Sequence, residues 1–273
     1  MKVKLSRHPR EHIYRTICMV IGALIWASII YFAKYYLLIP LVIIGIILWL
    51  TEKFFQAILF GNSVLVTTKQ YATLNKIVES ESKKLLGSKK PPLTFVVNSQ
   101  GGTNALAIKF LSKKYVILYS SLVDLLWGEM KNDSLRMIVA HEIAHHAAGH
   151  TNFWLNLLTG PAMFIPYLGP AYSRSRELTA DRIAADSVRN PKASMQALIA
   201  LASGSEDLYR QTNVQAFIEQ EKRVPFLFGF LLEIVATHPR ITRRVIALME
   251  RNSRSSSNRN LSKKSGKKKV IRR

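Results

Sequence analysis

The sequence predicts an α+β, mainly α chain, in which a transmembrane helical hairpin precedes a helical domain that carries a small sheet. Three observations predict this. Two apolar runs, 17–33 and 37–50, stand near the N-terminus with cations on both flanks. Three short segments, 93–97, 105–110 and 115–119, have β-type composition and lie among Gly and Pro. Beyond them the chain shows helical periodicity, and its densest histidine cluster lies on the first of those helices.

The leader, 1–16, is basic and carries Lys2, Lys4, Arg7, Arg10 and Arg15. Lys53 and Lys69 follow the second run, so the positive-inside rule places both ends of the hairpin in the cytoplasm and the Lys34 turn outside. A cleavable signal peptide fits poorly, because no small-x-small site precedes Lys34 and a second apolar run follows at once. The expected location is a multi-pass cell-membrane protein with a cytoplasmic domain over 60–250.

Within that domain, helices are expected at 67–86, 134–149 with Asn132 or Asp133 as cap, 174–188, 192–203, 207–220 and 241–251. The segment 153–172 is uncharged but holds Gly160, Pro161, Pro166, Gly169 and Pro170. A single crossing there would put downstream residues on the wrong side of the bilayer. It reads instead as a re-entrant or interfacial segment, or as a lid packed on the domain.

The chain of 273 residues carries a formal net charge of +22, yet the excess gathers at its ends. Residues 251–273 hold ten Lys or Arg and no acid, without apolar periodicity, which predicts a disordered tail drawn to anionic headgroups. The tail lacks aromatic residues for base stacking, so nucleic acid is not the expected partner. The single cysteine, Cys18, excludes an intrachain disulfide framework.

His141-Glu142-x-x-His145 places two imidazoles one above the other on a helix with a carboxylate beside them, the pattern that binds a catalytic zinc. Such a site needs a third protein ligand and an open position. A third histidine six residues after the second is absent, since that position is Thr151. Glu177, on a following helix, supplies the ligand, and Asp181 shares its face and can accept the outer ring N–H of a ligand histidine. His146 and His150 point about 100° and 140° from His145 on an ideal helix and read as packing or hydrogen-bonding residues. His8 and His12 read as interfacial.

With Glu177-x-x-Ala180-Asp181, the motif resembles the zinc membrane peptidases that include the HtpX-type heat-shock proteases and the CAAX prenyl proteases, over roughly 93–249. His150, Ser173-Arg174-Ser175-Arg176 and Asn104-Ala105-Leu106-Ala107 match features of that family, as do Thr237-His238-Pro239 and Arg244. The resemblance implies a zincin-like fold with one zinc per chain, held by His141, His145 and Glu177. It implies Glu142 as general base, His238 as oxyanion stabiliser, Arg244 and Asp181 as residues supporting the ligands, and the 104–107 strand as a substrate edge. The expected activity is a membrane-anchored zinc metalloendopeptidase that cuts unfolded or membrane-protein polypeptides, in the manner of membrane-protein quality control. Two spans that the family places between the histidine motif and the glutamate are missing or compressed here. A non-catalytic adaptor that recruits lipid, RNA or protein through its tail is the alternative, and the full set of ligands, base and supporting carboxylate argues against it.

Overall fold

A computed structural model describes residues 3, 5–34, 36, 38–87, 90–98, 102, 104–109, 113–127 and 132–253. Most of the expected basic tail, 254–273, therefore lies outside the described residues, as do Lys2, Lys4 and Gly101.

Two long helices open the chain, α1 (Pro9–Ala33) and α2 (Leu38–Asn62). Both are long and apolar enough to cross a membrane, by length and composition. They extend past the apolar runs. Pro9 pre-sets the first turn of α1 and His8 caps it by accepting from Arg10 N. The polar residues after Leu50 continue α2 for about three more turns.

After β1 (Val64–Leu65) comes α3 (Ala72–Leu86). The helix expected from Thr67 starts five residues later, because Thr67 and Gln70 close a turn through mutual backbone bonds and Tyr71 turns left-handed at φ 60°. β2 (Leu93–Val97), β3 (Ala105–Lys109) and β4 (Lys114–Tyr119) complete a four-stranded sheet in the order β1-β2-β4-β3. β2 and β4 are parallel, while β1 and β3 pair antiparallel to their neighbours. β3 forms an edge, bonded to β4 alone among the described residues.

α4 (Ser120–Leu126) leads to the central helix α5 (Asn132–Ala148), which packs on the sheet, on α3 and on the later helices. The apolar segment after it is a short helix, α6 (Phe153–Met163), followed by a turn into α7 (Leu168–Val188). α7 thus begins six residues before the expected start at Arg174. α6 lies against α1, where Trp26 Nε1 donates to the Leu157 carbonyl at 2.9 Å and Gly22 meets the Leu158 backbone so closely that a Cβ would overlap it. α5 and α7 cross through Ala140, Ala144, Ala180 and Ala184, all fully buried, and such small side chains let the two backbones approach.

α8 (Pro191–Ser203) starts at the Asn190 cap. The single helix expected over 207–220 is instead α9 (Glu206–Gln211) and α10 (Val214–Glu219), because Asn213 breaks the run and caps the second helix, with a 3-10 turn (Gln220–Arg223) after it. α11 (Phe226–Val235), absent from the sequence expectations, precedes α12, which spans 241–253.

Candidate metal centre

α5 carries His141, Glu142 and His145, and α7 brings Glu177 and Asp181 against them. His141 Nε2 and His145 Nε2 are 3.2 Å apart, and the Glu177 oxygens lie 3.5 Å from the first and 3.4 Å from the second. A tetrahedral zinc with bonds of about 2.0–2.2 Å places its ligand atoms about 3.3–3.6 Å apart. The donor set, two imidazole nitrogens and a carboxylate whose two oxygens each approach one of them, fits that ion in chemistry, with one ligand atom per residue all within 4.8 Å of one another.

Asp181 Oδ1 lies 2.9 Å from His141 Nδ1, the outer nitrogen of that ring. Arg244, on α12, grips Asp181 with two bonds, Nε to Oδ2 at 2.8 Å and Nη2 to Oδ1 at 2.7 Å. Its Nη1 comes within 3.8 Å of Glu177 Oε2. His238 follows α11 with its ring largely exposed and its Nδ1 3.4 Å from the same oxygen. One carboxylate thus faces His141, His145, His238 and an arginine.

The electrostatics favour a cation. Burial opposes a charged His141, but hydrogen bonds to Asp181 and Glu177 prevail and push its pKa up to about 10. Glu177, which favours a proton on the inner nitrogen, can favour a metal ion in its place. Burial drives His145 well below the usual imidazole range, which leaves it neutral with a free lone pair. Burial would raise Asp181, yet the charge and hydrogen bonds of Arg244 bring it down to about 2. Glu142, buried beside these groups, is pushed up to about 7, chiefly by the loss of water around it.

These residues open into a cleft of about 250 Å³. Leu122, Leu198 and Leu201 form an apolar part of its wall, and Asn104, Ala105, Leu106 and Ala107 of the β3 edge form another. Every residue expected at the site from the sequence lines this one cavity.

His150 departs from the ideal-helix expectation. α5 ends at Ala148, and Gly149 takes φ 79°, so His150 N bonds back to His145 O and Gly149 N to His146 O. This left-handed stop swings the His150 ring under the motif, with its Nδ1 3.0 Å from His145 Nδ1. On its other side His150 Nε2 meets Glu11 Oε1 at 3.2 Å, and Arg7 holds Glu11 while also reaching the Ala148 carbonyl. Sequence reasoning assigned the leader only to topology. Its signal was Glu11, the one acid among the first 33 residues, and it is fully buried. His146 pins α5 to the sheet, with its ring against the Tyr115 carbonyl and the Thr151 hydroxyl.

Residues 68–166 and 152–252 match the sequence pattern of peptidase family M48. The chain is 30% identical over 188 residues to the plastoglobule-localized metallopeptidase 48 of Arabidopsis thaliana, a stretch covering 63% of this chain and 52% of that protein. It therefore spans about half the length of that curated relative. The crystal structure of S. mikatae Ste24p has a similar fold, with a TM-score of 0.51 at 16% identity, covering 85% of this chain and 62% of that one. With matches across both its histidine helix and its glutamate helix, the chain belongs to peptidase family M48.

Proposed function

We propose that the chain is a membrane-anchored zinc endopeptidase that cuts unfolded or membrane-protein polypeptides at the cytoplasmic membrane face. The observation that carries this is the convergence of His141, His145 and Glu177 donor atoms, within 4.8 Å of one another, with Glu142 in the same cleft. Zinc held there supplies a Lewis acid and acidifies water near neutral pH.

The protein residues perform the rest. Glu142 takes the proton from the attacking water and returns it to the leaving amine. Asp181 keeps a proton on the outer nitrogen of His141, so that its inner nitrogen carries the lone pair, and Arg244 keeps Asp181 ionised and oriented. His238, exposed at the cleft and facing Glu177, donates to the carbonyl oxygen as negative charge develops on it. The substrate adds to the free edge of β3 at 104–107 as an extended strand, which selects unfolded segments.

α1 and α2 anchor the chain, with the leader on the same side as the cleft. Arg7 and Glu11 contact the end of α5, and His8 N bonds Thr179 Oγ1 on α7, which supports that topology. Measuring zinc content and cleavage of an unfolded membrane protein, for wild type and Glu142→Gln in vesicles, tests the proposal. One zinc per chain in both, with activity in the wild type alone, is the expected outcome.

A further inference from the structure

α11 is built the wrong way round for a helix on a water-soluble surface. Its inward face centres on Gly229, which is buried, and Glu233, one turn later, with Ile234 half-buried beside them. Gly229 and Glu233 are held by charged groups. Arg240 donates to the Gly229 carbonyl at 3.1 Å and its Nη2 lies 3.2 Å from Glu233, while Arg174 bonds the carbonyls of Glu233 and Ala236. A Cβ on Gly229 would crowd the side chains of Val224, just before the helix, and Arg240, so this position has room for little beyond a glycine.

Its apolar side chains face out. Phe226 is 92% exposed, Phe228 69% and Val235 68%, with Leu227, Phe230 and Leu231 about half exposed. Adjacent exposed apolar side chains on one helix form a patch of the kind that marks a membrane or protein contact.

The surroundings favour a lipid bilayer. Tyr167 N bonds the Ile234 carbonyl, which joins α11 to the turn between α6 and α7. In that turn Phe164 is 89% exposed, with Ile165 and Tyr167 also open, and α6 packs on α1. The apolar surface therefore continues from the first candidate span through α6 and the turn to α11. Lys222 and Arg223, both exposed, precede the helix, where anionic headgroups would meet them.

We propose that α11 is a monotopic membrane element that lies in the cytoplasmic headgroup and acyl boundary. This rests on the reading that α1 and α2 anchor the chain. Because α11 ends at Val235, three positions before His238, it would hold the cleft mouth at the bilayer surface, where membrane-tethered polypeptides emerge.

The test uses the full chain with Cys18→Ser, reconstituted in phosphatidylcholine–phosphatidylglycerol vesicles and spin-labelled at one introduced cysteine. A label from Phe228→Cys is expected to collide with oxygen and to be shielded from a water-soluble nickel chelate, at least several-fold more than a label from Gln215→Cys on α10. A label from Ile44→Cys on α2 separates the two readings. If it is lipid-facing while position 228 is as open to nickel as position 215, the inference is overturned and the anchor stands. If positions 44 and 228 are both open to nickel, the anchor reading fails and the inference fails with it. Spectral broadening at position 228 that unlabelled protein dilutes away overturns it in favour of a contact between two copies.

Discussion

The Glu11 carboxylate stands 3.2 Å from Nε2 of His150, and the other nitrogen of that ring lies 3.0 Å from His145. The first turn of the N-terminal apolar helix is thereby joined, through one imidazole, to a candidate metal ligand.

Glu11→Gln keeps the side chain's size but removes the charge that faces His150 and Arg7. Groups that orient a ligand from behind contribute to metal affinity. The expected result is zinc affinity lower by about 10-fold, read by competition with a chromogenic chelator. Unchanged affinity would show that α1 only packs on the domain.

Asp181 and Arg244 form a buried pair, so each variant exposes the other's cost. Asp181→Asn should weaken zinc binding by about 10- to 100-fold, because His141 loses its partner. Arg244→Ala leaves the buried Asp181 with His141 as its remaining partner, and should cost up to about 3–5 kcal/mol in a denaturant titration of the metal-free chain.

Gly149 ends α5 in the left-handed region with open space around its α-carbon. Gly149→Ala therefore meets no clash and pays only backbone strain, about 1–2 kcal/mol. Its melting temperature should fall by a few degrees. A larger drop would mean that His150 had left His145.

Glu221 accepts from Arg240, Thr242 and Arg243, and so fastens the 3-10 turn to the start of the helix that carries Arg244. Burial alone would raise its pKa, but those bonds bring it from the ordinary 4.5 down to about 2. A depressed folded-state pKa gives stability that is present above 4.5 and lost as the pH falls toward 2. Acid unfolding of Glu221→Gln should show a shallower pH dependence across that window. An identical slope would remove Glu221 from the linkage.

The site was legible because its chemistry sits at short, regular spacings. His141 and His145 share a helix face, Glu177 and Asp181 share another, and both pairs face one cleft. Strands β2 to β4 were legible from composition within one residue at each end, whereas β1, two residues long, carries too short a pattern to read. What escaped depends on contacts between segments distant in sequence. Glu11 reaches His150 across 139 positions, and no local pattern announces that. The ring direction of His150 was misjudged because Gly149 stops the helix one residue earlier, a stop that the glycine itself signals. α11 lacks the amphipathic stripe that marks a helix packed on a core, since a glycine and a glutamate face the domain.

The most direct test of the account is hydrolysis of an unfolded polypeptide by the purified, vesicle-reconstituted chain as zinc is removed and restored, with Glu142→Gln in parallel. Activity is expected to disappear on chelation and return with zinc, while the Glu142→Gln chain binds zinc normally but cuts about 10²- to 10⁴-fold more slowly. Cleavage that survives chelation, or that is undiminished in Glu142→Gln, would contradict it.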